Sequence, residues 1–171
     1  MRPKSAPNYL AAYPATLAET VQQLIAQGTL GERLLQKYPT AHDVRNDRAL
    51  YEFVSEAKSR YLRNTGSLSR VAFDSTLHVE RRALGMHTTI SRVQGGGLKS
   101  KREIRVAAVF KDMPQAFLQM IVVHELAHFK EAQHNKAFYQ LCLYMEPEYH
   151  QFEFDLRSYL TWLAATDTPL W

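Results

Sequence analysis

Residues 124–128 read His-Glu-Leu-Ala-His. On a helix, two histidines four apart lie about 40° apart around the axis and one turn apart along it. Both imidazoles then reach a single ion, and Glu125, beside the first histidine, can address water held on that ion. The segment before the motif predicts the required helix. Phe117, Leu118, Ile121, Val122 and Leu126 recur at helical spacing, and Pro114 stands near the start.

An open catalytic zinc site uses three protein ligands. His134 is the candidate for the third, six residues after His128. A continuing helix would turn it through about 600°, away from His128. The helix is therefore expected to break between the two, at Gln133, His134 or Asn135. Asn135 can adopt left-handed geometry there and can cap the next helix. Glu131 is the alternative ligand, but a straight helix carries it about 10 Å along the axis from His124. A role orienting a ligand histidine suits it better, with a plain exposed carboxylate as the other reading.

The rest of the chain limits what surrounds this motif. At 171 residues it is the length of one domain, with a helical part over 1–66 and a core over 67–171. One cysteine, Cys142, excludes a disulfide framework and a cysteine-rich zinc finger. Its apolar neighbours mark it as a core residue. No apolar run is long enough to span a bilayer, and prolines at 3, 7 and 14 interrupt any signal-like segment. The expected location is cytoplasmic.

Helices are expected over about 15–27, 29–37, 47–63, 114–128, 136–145 and 149–165. Strands are expected around Val71 and Phe73, continuing through Leu77 and Val79, then over 84–93 and again at Ile104–Ala108. Gly95-Gly96-Gly97 reads as the turn between the last two. No phosphate-loop pattern accompanies it. Among the other histidines, His42, His78 and His150 lack partner spacing and read as surface. His87 falls on a strand bordering the cleft, either as an oxyanion donor or as an ordinary polar strand residue. Tyr149 and Tyr159 read as helix-packed residues, with oxyanion donors as the other reading, and Phe138 and Tyr139 as core beneath the motif.

Taken together, the stretch VVHELAHFKEAQHNKAFYQL resembles the YgjP-like zinc metallopeptidase domain, with its pattern HELxHxKExxHxxxFW. It is also similar to the WLM and SprT-like domains of the wider zincin group. The resemblance covers most of residues 68–163 and implies a small α+β zincin-like fold. An antiparallel or mixed sheet would pack on the active-site helix, with extra helices at the N-terminus. It further implies one zinc per chain on His124, His128 and His134, with Glu125 as general base. Such domains often carry a W-G-S-C segment on the strand before the active-site helix. Here Leu84-Gly85-Met86-His87 stands in that place, which bears on substrate more than on metal.

The expected chemistry is metal-assisted hydrolysis: zinc acidifies its water, and Glu125 accepts the proton and returns it to the leaving group. Three imidazoles favour zinc, although nickel, cobalt or copper also suit them. Peptide or protein substrates are favoured, because an edge strand beside the metal can pair with an extended chain. Phosphoanhydride hydrolysis is the rival. Residues 61–105 hold nine basic side chains against three acidic, whereas 106–171 hold four against eight. Arg81, Arg82, Arg92, Lys99, Lys101 and Arg102 would then meet phosphate; on the peptide reading they protect a strand edge. A DNA-associated protease-like module is a third reading, though no helix-turn-helix or dense aromatic-basic stripe supports nucleic-acid binding.

Overall fold

The computed structural model describes residues 7–77, 85–94 and 97–171, and gives no side-chain placement for 85–94 and 97–101. The elements run α1 (Ala15–Ala26), α2 (Leu30–Lys37), α3 (Asp47–Tyr61), β1 (Leu68–Asp74), β2 (Gly85–Gln94), β3 (Gly97–Ala107), a 3₁₀ turn (Ala108–Asp112), α4 (Gln115–Ala127), α5 (Lys136–Met145) and α6 (Tyr149–Thr166). The fold is α+β, a small mixed sheet against α4 with three extra helices before the sheet.

Local chemistry sets most boundaries. Gly28 stops α1 at φ 69°, where its N–H reaches the Ile25 carbonyl and the Thr29 N–H reaches back to Leu24. That pair of bonds closes the last turn around a left-handed residue, which glycine adopts without a Cβ penalty. Asn46 caps α3 by accepting from the Ala49 N–H at 2.9 Å, and Asn135 caps α5 from Phe138 at 2.9 Å. Each such cap contributes about 1 kcal/mol.

The sheet order is β1-β3-β2. β2 and β3 form the expected antiparallel hairpin, with Gln94 opposite Gly97 and His87 opposite Ile104. β1 joins β3 in parallel, with Val71 opposite Ile104 and Phe73 opposite Val106. β1 is shorter than the alternation suggests. It ends at Asp74, whose carboxylate accepts from both the amide and the hydroxyl of Thr76 and folds the chain into a turn. Leu77 therefore lies beyond the strand, and Val79 lies outside the described residues, as do His78, Arg81 and Arg82. Ala108 leaves the other strand early to begin the 3₁₀ turn.

α4 is the centre of the protein. Phe117, Leu118, Met120, Ile121, Val122, Val123 and Leu126 are all buried. A helix apolar on every side must be surrounded, and α4 packs against α3, α5, α6, β2 and β3. Leu50 and Val54 of α3 join the same core. Burying side chains of this size stabilises by about 1.5–3 kcal/mol each, an upper figure given compact unfolded chains.

His42 is buried rather than superficial, at 6% exposure. Its Nε2 lies 2.6 Å from the Phe110 carbonyl, and its Nδ1 accepts from the Val44 N–H at 3.0 Å. Both ring nitrogens are satisfied, which is what lets a polar ring enter a core. His150 is exposed, as expected. Among the described residues, no helix is long and apolar enough to cross a membrane.

Candidate metal centre

The last turn of α4 carries His124, Glu125 and His128, with His128 itself as the C-cap. The helix ends there, earlier than the Gln133–Asn135 break expected from spacing. Asn135 is extended, at φ −94° and ψ −176°, so no left-handed residue is used. Amides of Phe129, Lys130 and Glu131 bond back to Leu126 and Ala127, tightening the chain as it leaves the helix. The following residues fold back before α5, and that return brings His134 to the motif.

One ring nitrogen from each of His124, His128 and His134 lies within 4.8 Å of the others. The Nε2 atoms of His128 and His134 are 3.1 Å apart. Tetrahedral zinc at 2.0–2.1 Å from each nitrogen would place two ligands about 3.3 Å apart. The three imidazoles therefore fit such an ion. Phe138, fully buried, supports all three rings from below at centroid distances of 5.0, 4.7 and 4.8 Å.

The remaining ring nitrogens are held in place. His128 Nδ1 lies 2.9 Å from the Glu131 carbonyl oxygen. A carbonyl only accepts, so Nδ1 carries the proton and Nε2 keeps its lone pair. Glu131 thus orients a histidine through its backbone, while its carboxylate lies 3.5 Å from the Asn135 amide. It is not part of the three-residue cluster. His124 Nδ1 lies 2.8 Å from the Tyr149 hydroxyl. Tyr149 is therefore more than a packing residue. Its signal in the sequence is faint: a tyrosine opening α6, with Glu153 and Arg157 following at four-residue steps on an apolar helix.

Burial, then the neighbouring His128 and His134, holds His124 well below the usual imidazole range, at about 3. Burial also lowers His128. Neutral imidazoles are the form that ligates metal. Glu125 is 3% exposed, and burial pushes its carboxyl up to about 8. A carboxyl poised near neutrality suits proton transfer, and a cation beside it would favour its charged form.

Other expected contributors are placed less fully. His87 sits on β2, the strand against α4, and its side chain lies outside the described residues, as do those of Arg92, Lys99 and Lys101. Arg102 is described: its guanidinium lies 4.7 Å over the ring of Phe129, the residue after His128. Tyr159 packs in the core between Phe117 and Trp171, and Cys142 is fully buried.

An HExxH helix under a small mixed sheet, with a third histidine folded back on it, defines a metallohydrolase of zincin type. The chain belongs to the YgjP-like metallopeptidase domain family, whose domain matches residues 33–159. It is also 53% identical over 156 residues to a protein of Escherichia coli (strain K12) named UTP pyrophosphatase. That similarity covers 91% of this chain and 93% of the relative. No solved structure matches the chain.

Proposed function

We infer that this protein is a zinc-dependent pyrophosphatase that hydrolyses a phosphoanhydride bond of UTP. The observation that carries this reading is the 53% identity to a UTP pyrophosphatase across 91% of the chain. Sequence pattern alone favours a peptide bond; a relative alike over nearly its whole length moves the reading to the nucleotide.

His124, His128 and His134 would hold one zinc ion. When bound, such an ion supplies Lewis acidity to a phosphoryl oxygen and acidifies water. Glu125 accepts the proton of the attacking water. The water oxygen bonds to phosphorus as the bridging P–O bond breaks, and Glu125 returns the proton to the leaving phosphate oxygen. The basic segment 61–105 offsets the charge of the triphosphate. Arg102, beside the chain leaving His128, is its best-placed described member.

A peptide substrate is the second reading, and one observation favours it. β2 is an edge strand of the sheet and lies against α4, where an extended chain could pair with it.

A paired assay tests both. Zinc-loaded protein meets a panel of nucleoside triphosphates in one arm and a peptide library in the other, with Glu125→Gln as the blank. Glu125-dependent release of pyrophosphate, fastest from UTP, is the expected outcome. Glu125-dependent peptide cleavage without phosphate release would sink it in favour of the second reading.

A further inference from the structure

Helix α5 brings two rings in succession to the candidate metal centre. Phe138 is fully buried against the three imidazoles. Tyr139, the next residue, is turned about 100° further around the helix axis. It is expected in the core with Phe138, but it is only partly buried and packs against the core's edge. Its ring centroid lies 6.4 Å from that of His134 and 5.5 Å from that of His150, with 38° between the Tyr139 and His150 planes. His134 and His150 are both exposed. The rings therefore run from the exposed member of the three histidines, over Tyr139, to the first turn of α6. Among the described residues, neither the Tyr139 hydroxyl nor a His150 ring nitrogen has a hydrogen-bond partner.

The charge on this side differs from that near His128. Glu146 and Glu148 stand immediately before α6, so the approach to His150 does not favour phosphate. Arg102, by contrast, lies over Phe129, the residue after His128. A nucleotide is divided in the same way: a neutral, planar base stands one sugar away from its charged phosphates. Tyrosine and histidine rings both stack on bases. Such stacking accepts any base, because every base has a π-face.

We propose that Tyr139 and His150 form the platform on which the base of a nucleoside triphosphate stacks while its phosphates meet the metal centre. The proposal rests on the reading of this protein as a nucleotide hydrolase, and it assigns the place of that substrate's neutral end. The platform supplies affinity for a base of any kind. It does not touch the reacting phosphate, so its loss raises KM and leaves kcat near wild type.

The test measures binding to the zinc-loaded full chain carrying Glu125→Gln, so that turnover does not intervene. Two probes are titrated by calorimetry: UTP, and inorganic triphosphate, which has the phosphate chain and no base. Adding Tyr139→Leu should weaken UTP about 5–150-fold, the range of one base–aromatic stack, and leave triphosphate within about twofold. CTP and ATP should lose as much as UTP. Tyr139→Trp keeps a stacking face and should restore UTP binding. His150→Ala, at an exposed position, should weaken UTP and spare triphosphate in the same way; if Tyr139→Leu folds poorly, this variant decides alone. Equal loss of UTP and triphosphate would make the rings structural and overturn the platform. Unchanged UTP affinity in both variants would overturn it too, as would a parent protein that does not bind UTP. The hydrolase reading is decided separately, with Glu125 intact. No pyrophosphate release from UTP would defeat that reading, while a base-dependent loss of binding in the variants would still establish the platform.

Discussion

His128 and Glu131 meet through a ring nitrogen and a backbone oxygen: Nδ1 of the histidine lies 2.9 Å from the carbonyl of the glutamate. Three residues of tight turn make that contact, and any side chain at 131 preserves it. The turn serves two ends at once. It fixes the ring of His128, and it starts the reversal that returns His134 to within 3.1 Å of His128.

Ligand roles should separate accordingly. His134→Ala leaves two imidazoles and should reduce zinc binding by orders of magnitude. Because His134 is exposed, the metal-free stability should change little. Glu131→Ala should keep zinc close to wild-type affinity, since the carbonyl remains. Metal content by atomic absorption and chelator competition reads both. Full occupancy in His134→Ala with loss in Glu131→Ala would reverse the assignment.

Glu125 should be separable from the metal. Glu125→Gln preserves size and burial while removing the proton acceptor. Turnover should fall about 10²–10⁴-fold, the usual contribution of a general base, at unchanged zinc content. A variant that stays active would refute the role given to this carboxylate.

The buried His42 should make the protein sensitive to acid. Burial lowers its pKa below the ordinary imidazole value of 6.5. The unfolded chain binds that proton first, so the contribution of His42 is complete above pH 6.5 and is lost as pH falls below it. The loss can reach about 1.4 kcal/mol per pH unit for one proton. His42→Gln cannot titrate. Urea unfolding at pH 7.5 and pH 5 should therefore show wild type losing more stability than the variant. An equal loss in both would exclude His42 as a source of acid sensitivity.

Asp155 should matter to stability through contacts that do not involve the three histidines. It is 8% exposed and accepts from Tyr38 at 2.6 Å, Lys37 at 2.6 Å and Gln151 at 3.0 Å. These bonds tie α2 to α6. Asp155→Ala strands a buried phenol without its acceptor, at a cost of about 1–3 kcal/mol. Asp155→Asn keeps an acceptor oxygen and should cost less. Thermal unfolding should show a fall in Tm of about 3–10 °C for the alanine variant. Equal values for all three proteins would remove Asp155 from the interactions that hold α6.

Local geometry made half of the candidate centre legible. Four residues of helix place His124 and His128 on one side whatever surrounds them, because helix pitch is a property of the backbone. Glycine at 28 and asparagine at 46 and 135 marked helix ends by the same local chemistry, and the alternation in 84–108 marked a hairpin. The parallel pairing of β1 with β3 was not legible, since register and neighbour come from contacts between distant segments. Nor was the burial of His42, which depends on the Phe110 carbonyl arriving from 68 residues away. His134 was recognisable as a residue type, but the turn that delivers it begins at His128 and uses amide bonds that side-chain patterns do not encode. Tyr149 reaches His124 only because α6 packs on α4. Residue spacing establishes which donors are available and which two share a face; tertiary packing selects which third imidazole joins them and which neighbours contact the rings. The physical reason is range: helix spacing acts over one turn, whereas hydrogen-bond partners for a buried ring are chosen by whichever element is packed against it.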